Sequence, residues 1–103
     1  MRIAIDIRRM NEFGVGTYTR NIVRMLARLD TEDEYFLLGQ RQKASEIGTL
    51  PQNFQSFQVP SSETARGYFE AHAVVRRLKC DLVHVPYLFW LPRHLPCPYV
   101  VTV

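Results

Sequence analysis

The sequence has few cysteines, only a small net charge and no long apolar run, and each of these features argues against a class of protein. The two cysteines, Cys80 and Cys97, lack the spacing of metal ligands, which favours two reduced, mostly packed thiols over a disulfide. No apolar run approaches the ~20 residues that cross a bilayer. A net charge of +3 is too small an excess to indicate nucleic-acid binding.

Apolar residues, by contrast, are abundant. They make up 47% of the 103 residues, which is enough for one core and argues against disorder. Met1 leads directly into an apolar segment with no charged and then apolar leader, so the sequence predicts a cytoplasmic protein. No metal site is visible, and we expect neither a metal nor a cofactor.

The chain is organised around residues 2–30, which predict a strand, a glycine turn and a helix. The strand is indicated by a nearly uninterrupted apolar run, as in a strand covered on both faces: Ile3, Ala4, Ile5 and Ile7. The helix is indicated by apolar residues that recur on one helical face: Tyr18, Ile22, Met25, Leu26 and Leu29. This order places free backbone amides and a positive helix end beyond a central strand, where a phosphate or another anion can bind.

The remaining residues predict four more strands and one more helix. The strands are expected at residues 34–39, 54–59, 81–86 and 99–103. The helix should begin near residues 61–64, end near Lys79 and bury one face, which consists of Ala71, Val74, Val75 and Leu78. Residues 40–53 are polar and contain two breakers, Gly48 and Pro51, so they are predicted to be a surface connection.

Strands that alternate with helices predict an α/β fold with a doubly wound parallel sheet. Right-handed crossovers and the order 3-2-1-4-5 would put the first strand in the middle and the third at an edge. A doubly wound sheet normally continues through another helix after its fifth strand. We therefore expect the domain to be truncated after that strand.

Three segments resemble the amino-terminal domain of family 4 retaining glycosyltransferases of the GT-B fold: MRIAIDIRR, FGVGTYTRNIVRMLARLD and CDLVHVPYLFWLPRHLPCPYVVTV. The resemblance implies that residues 1–103 form a partial Rossmann-like domain on the acceptor side, without the carboxyl-terminal donor-binding domain. It implies that the parent protein transfers a sugar from a nucleotide-sugar donor to an unknown acceptor with retention. The fragment alone is expected to be inactive. The resemblance also implies that the glycine-rich loop, which consists of Gly14, Val15, Gly16 and Thr17, contacts the donor phosphates.

Three side chains are expected at the carboxyl ends of the strands, on the acceptor side of the cleft: Arg8, His84 and Tyr87. His84 could contact a sugar hydroxyl, or it could be hydrogen-bonded to nearby backbone and only support its loop. Arg8 or Arg9 could hold a phosphate, but for one of them an internal ion pair with Asp6 or a later acid is favoured. Tyr87, Phe89 and Trp90 suit contact with a sugar or a lipid, and core packing under a long loop explains them almost as well.

A basic stripe on the first helix, Arg20, Arg24 and Arg28, recurs every four residues. Some members of the resembled family that act on lipid-linked acceptors meet anionic membranes through such a surface, which would make the protein peripheral at the inner membrane face. A solvated helix face is favoured here, because three arginines are few and the neighbouring apolar positions are needed for the core.

The predicted fifth strand, residues 99–103, is apolar and would lie at a sheet edge with unpaired backbone groups. We therefore expect a homo-oligomer formed through this edge. The alternative function is a non-catalytic, flavodoxin-like binding or regulatory module, in which the glycine turn binds an anion or nothing.

Overall fold

The computed structural model describes residues 1–12, 14–61, 63–87, 95 and 97–102. They form a five-stranded, all-parallel sheet in the order β3-β2-β1-β4-β5. Its strands are Arg2–Asp6 (β1), Glu34–Leu38 (β2), Phe54–Phe57 (β3), Leu82–Val85 (β4) and Tyr99–Val101 (β5). Its helices are Val15–Leu29 (α1), Arg41–Ile47 (α2) and Ala65–Arg77 (α3). The predicted α/β class, parallel sheet and strand order are confirmed.

β1 lies at the centre because both of its faces are covered. Ala4 pairs in register with Phe36 of β2 and Val83 of β4, and all three belong to a core cluster that packs against α3. Ile5 belongs to a second core cluster, which includes Val23 of α1 and residues of α2. Alternate side chains of one strand therefore enter two cores, which is why Ile3, Ala4 and Ile5 in the middle of β1 are all apolar.

The helical face predicted for α1 is wrong in part. The buried residues are Gly16, Thr19 and Val23, whereas Met25 is 51% exposed and Leu29 is 75% exposed. The buried face therefore consists of small or medium-sized residues, and the larger apolar side chains of Met25 and Leu29 are exposed. The apolar residues of α1 do recur at helical spacing, but the face that they form is not the face that contacts the core.

The prediction for residues 40–53 also needs correction, because this connection contains α2. Ala44 and Ile47 are buried one turn apart and join the core cluster beneath α1. A helix of seven residues with two buried positions is too short to give a periodic pattern. The third strand is confirmed at an edge, and the structure ends it at Phe57.

α3 confirms its predicted buried positions Ala71, Val74 and Val75. The side chain of Thr64 accepts a hydrogen bond from the Gly67 amide at 2.9 Å and caps the helix. Cys80 and Cys97 are free cysteines, as predicted. In the described part of the chain, no helix is long and apolar enough to cross a membrane.

Candidate functional site

The carboxyl end of β1 is the point where the strand order reverses. The chain continues from β1 to β2 on one side and later enters β4 on the other side. In open parallel sheets, ligands bind in the crevice at such a point. α1 begins at this end of the sheet, so its amino terminus is an element of the candidate site.

The start of α1 is open at Gly14. This residue is exposed and has φ = 83°, a conformation that favours glycine, and an added Cβ would have no atom within 4 Å among the described residues other than its chain neighbours. In the part of the chain that the structure describes, no side chain caps α1 by a hydrogen bond, and the first turn of α1 contains no acidic residue. The partial positive charge of the helix end is therefore not offset by a carboxylate of its own first turn.

Gly16 has a different environment from Gly14. Its amide donates to the Glu12 carbonyl oxygen at 2.7 Å, and an added Cβ would lie 1.9 Å from the Met10 carbonyl oxygen. Gly16 is therefore needed for the close contact between α1 and the preceding turn, and its amide is occupied. Val15 is half-buried and Thr17 is exposed. Within the predicted glycine-rich loop, the exposed residues are therefore the first and the last, Gly14 and Thr17.

Thr19 is a polar residue that the sequence reasoning did not single out. It is 1% exposed, and its Oγ1 has no hydrogen-bond partner in the part of the chain that the structure describes. It lies one turn after Val15 and Gly16 on the same face of α1. In the sequence, the burial of Thr19 is indicated only by its position between apolar residues of the predicted helix.

Asp6, Arg8 and Tyr87 form a buried polar cluster on the other side of β1. Nε of Arg8 donates to both carboxylate oxygens of Asp6 at 3.0 and 3.1 Å, and Nη2 donates to Oδ2 at 2.7 Å. The Tyr87 hydroxyl also donates to Oδ2. Burial tends to lower the pKa of Arg8, but the hydrogen bonds and charge of Asp6 outweigh it and raise that pKa.

Arg8 also joins this cluster to the start of α3. Its Nη1 donates to the Gly67 carbonyl oxygen at 3.1 Å and to the Pro60 carbonyl oxygen at 3.2 Å. The predicted internal ion pair is confirmed for Arg8. Arg9 forms ion pairs as well, with Glu12 and Glu63. Through its contacts with Asp6 and Gly67, Arg8 connects the carboxyl end of β1 to the first turn of α3.

His84 lies on the α1 side of the sheet with two hydroxyl groups. Its Nε2 is 3.2 Å from Thr102 Oγ1, which is 3.1 Å from the Tyr18 hydroxyl. The rings of Tyr18 and His84 meet edge to face, with centroids 6.3 Å apart. Tyr18 is in the first turn of α1 and Thr102 follows β5, so this hydroxyl–imidazole cluster connects three elements at the strand ends.

The structure therefore separates the three predicted acceptor-side residues. Tyr87 packs in the core cluster beneath α3, and Arg8 contacts the start of that helix, whereas His84 faces α1. Phe89 and Trp90 lie outside the described residues. The sequence reasoning missed Tyr18 and Thr102 as partners of His84. No sequence signal indicated Thr102, because its position beside His84 depends on the register that pairs Val85 with Val101.

The basic stripe is partly held by backbone carbonyls. Arg20 donates to the Met10 carbonyl oxygen at 3.3 Å, and Arg24 donates through Nε to the Ile47 carbonyl oxygen at 3.0 Å. Arg24 and Arg28 line a groove of about 450 Å³ between α1 and residues 47–51. Among the described residues, none of the three stripe arginines forms an ion pair.

Burial gives a testable prediction for His84. Desolvation lowers its pKa from the ordinary 6.5. Because the unfolded chain then binds the proton more readily, His84 stabilises the fold above about pH 6.5, and this contribution is lost as the pH falls through the folded-state pKa. We expect an NMR titration of the His84 ring to give a midpoint below 6.5. A midpoint at or above 6.5 would contradict the prediction.

Comparison of the chain with protein-family models, with curated proteins and with solved structures finds no match in any of the three. Among the described residues, no group of three or more His, Cys, Asp or Glu side chains could hold a metal ion.

Proposed function

We propose that the chain is part of a glycosyltransferase and binds the diphosphate of a nucleotide-sugar at the start of α1. The observation that carries the proposal is the open helix terminus at the strand-order reversal. Gly14 is exposed there with a positive φ, and the first turn of α1 has no acidic residue. Backbone amides and the helix dipole at such a terminus favour an anion.

The chemistry assigns these groups a defined role. In sugar transfer, the bond from the anomeric carbon to the diphosphate breaks, a bond to an acceptor oxygen forms, and the proton of that hydroxyl passes to the departing diphosphate. Negative charge grows on the departing diphosphate, and fixed amide donors stabilise that charge as it develops. Of the four residues in the predicted loop, Gly14, Val15 and Thr17 supply the amides for this role. Gly16 supplies the close packing that fixes the helix start.

The proposal predicts that uridine diphosphate or adenosine diphosphate shifts the amide NMR signals of Gly14, Val15 and Thr17. Thr17→Asp places a carboxylate beside the bound diphosphate, and we expect it to weaken binding at least tenfold through charge repulsion. Ser45→Asp adds the same charge at an exposed position of α2 and serves as the control. The proposal fails if neither nucleotide shifts these signals at millimolar concentration, or if both variants weaken binding equally.

A second candidate function is contact with an anionic membrane through α1. From the sequence, the apolar positions beside the basic stripe were expected to be buried in the core, which would leave none of them for a membrane. Met25 and Leu29 are instead exposed beside Arg24 and Arg28. An exposed apolar stripe flanked by cations without ion-pair partners among the described residues is the pattern of an interfacial helix.

For the membrane surface, we expect the chain to bind vesicles that contain phosphatidylserine and to dissociate as salt is added. Arg24→Gln/Arg28→Gln should weaken binding about tenfold or more, since each basic residue near the surface contributes roughly 1 kcal/mol. Arg41→Gln/Arg77→Gln removes the same charge from exposed positions of other helices. If both double variants lost the same factor in vesicle affinity, the result would contradict a role for α1 in membrane binding.

Self-association through β5 also remains a proposal. β5 is an edge strand, and its Tyr99 and Val100 side chains are 43% and 49% exposed. Unpaired strand edges with apolar side chains favour pairing with another chain. We expect the mass from light scattering to rise with concentration, and a constant monomer mass at the highest soluble concentration would contradict this.

A further inference from the structure

A half-open cavity of about 180 Å³ lies between α1 and the β4–β5 edge of the sheet. Five of the seven residues that line it are aliphatic: Ile3, Ile5, Leu26, Leu82 and Val100. The other two are Tyr35, whose hydroxyl donates to Asp30 at 2.6 Å, and His84. The lining is therefore mainly apolar with one imidazole, and sites for small organic ligands likewise combine apolar walls with a few polar groups.

The cavity exists because the helices cover the sheet unevenly. α1 and α2 pack over β1, β2 and β3 on this face, whereas α3 packs on the opposite face against β1, β2 and β4. Leu82 and His84 of β4 point to the α1 side and are only half-buried, and Val100 of β5 is 49% exposed. The outer edge of α1, at Leu26, forms the second wall.

The polar end of the cavity coincides with the carboxyl ends of the strands. His84 is paired in register with Ile5 and Val100, so the imidazole stands where the apolar lining ends. The hydroxyls of Thr102 and Tyr18 follow beyond it, and the Nε2 of His84 is engaged with Thr102. In the described part of the chain, Nδ1 of His84 has no hydrogen-bond partner.

We propose that this cavity binds an alcohol with an apolar ring or short alkyl chain, whose hydroxyl end is held by His84, Thr102 and Tyr18. A cavity of about 150 Å³ holds a benzene ring, so this volume suits one ring or a short alkyl segment. The neutral imidazole and the two hydroxyls can each donate or accept a hydrogen bond, which matches an alcohol. As the acceptor site for sugar transfer, this assignment rests on the proposed function and gives the acceptor a chemical class.

Alkyl glucosides of increasing chain length test the assignment on the chain itself. Each buried methylene should tighten binding roughly three- to fourfold, so hexyl β-glucoside should bind at least tenfold more tightly than methyl β-glucoside. The NMR signals of His84, Leu26 and Val100 should shift with the same dissociation constant. Equal affinities of the two glucosides, or shifts that do not include these residues, would overturn the proposal.

Matched variants separate the apolar and the polar end. Val100→Phe should fill the cavity and weaken hexyl β-glucoside binding at least tenfold, whereas Gln55→Phe, on the opposite edge strand, should not. Thr102→Val should weaken both glucosides by a similar factor, whereas Thr31→Val, at an exposed position, should have no effect. Equal losses within either pair would overturn the assignment of that end.

The nucleotide titration distinguishes this proposal from the proposed function. Glucoside binding without nucleoside diphosphate binding would support the cavity and remove the sugar-transfer role. Diphosphate binding without chain-length dependence of the glucosides would overturn the cavity and leave that role intact.

Discussion

Asp6→Asn is expected to remove about 3–5 kcal/mol from the free energy of unfolding, which is the typical cost of breaking a buried ion pair from one side. Asp6 is fully buried and accepts hydrogen bonds from the Arg8 guanidinium, the Arg8 amide and the Tyr87 hydroxyl. The neutral amide leaves the Arg8 charge in the core without its counter-ion. The total free energy of unfolding of a small domain is roughly 5–15 kcal/mol. Urea denaturation of the variant should therefore show a large fall in the urea concentration at the unfolding midpoint.

The exposed ion pair between Arg66 and Glu70 provides the control for this experiment. Glu70→Gln should cost less than about 1 kcal/mol, because water already screens that pair. The double variant Asp6→Asn/Arg8→Met should be less destabilised than the sum of its single variants, since it leaves no unpaired charge behind. If Asp6→Asn cost no more than Glu70→Gln, the buried cluster would not be a main source of stability.

Gly16→Ala should have the second largest effect, with a net loss of up to about 2 kcal/mol in the free energy of unfolding. Alanine in a helix is favoured over glycine by roughly 1 kcal/mol, so helix propensity alone predicts a gain. The added Cβ, however, would lie 1.9 Å from the Met10 carbonyl oxygen, and backbone atoms cannot move aside as the end of a side chain can. Overpacking of this kind typically costs 1–3 kcal/mol or more, and it should outweigh the gain.

Thr17→Ala, at the next position of the same helical turn, is the matched control. Thr17 is exposed, so its replacement should change the free energy of unfolding by no more than about 0.5 kcal/mol. Thermal or urea unfolding of the two variants measures the difference. A Gly16→Ala variant that was more stable than the natural sequence would show that α1 can move away from Met10. It would remove the packing explanation for this glycine.

The strand order could be predicted because each strand is marked by its own side chains. β1 is apolar on both faces, and strands alternate with helices, which leaves few arrangements with right-handed crossovers. The internal ion pair of Arg8 was also predictable, since Asp6 stands two residues before it and a buried arginine needs an acid. These inferences depend on local sequence and on general rules of topology.

The buried face of α1 and the hydroxyl–imidazole cluster could not be predicted in the same way. Gly16 lies in close contact with the Met10 backbone and Thr19 is a buried polar residue, and hydrophobic spacing carries no signal for either. The contacts between Tyr18, Thr102 and His84 depend on the register of β4 and β5 and on the rotation of α1 about its axis. Both are set by the packing of the whole sheet.

The position of β1 also affects the order in which the chain can fold. The Arg2 amide bonds to the Asp81 carboxylate across a sequence separation of 79 residues, and β1 pairs directly with β4. During synthesis, β1 can therefore pair with β2 as soon as β2 has been made, but its other edge stays open until β4 emerges. Such non-local pairing slows folding, and it leaves one edge of a central strand open to wrong partners until β4 has been synthesised.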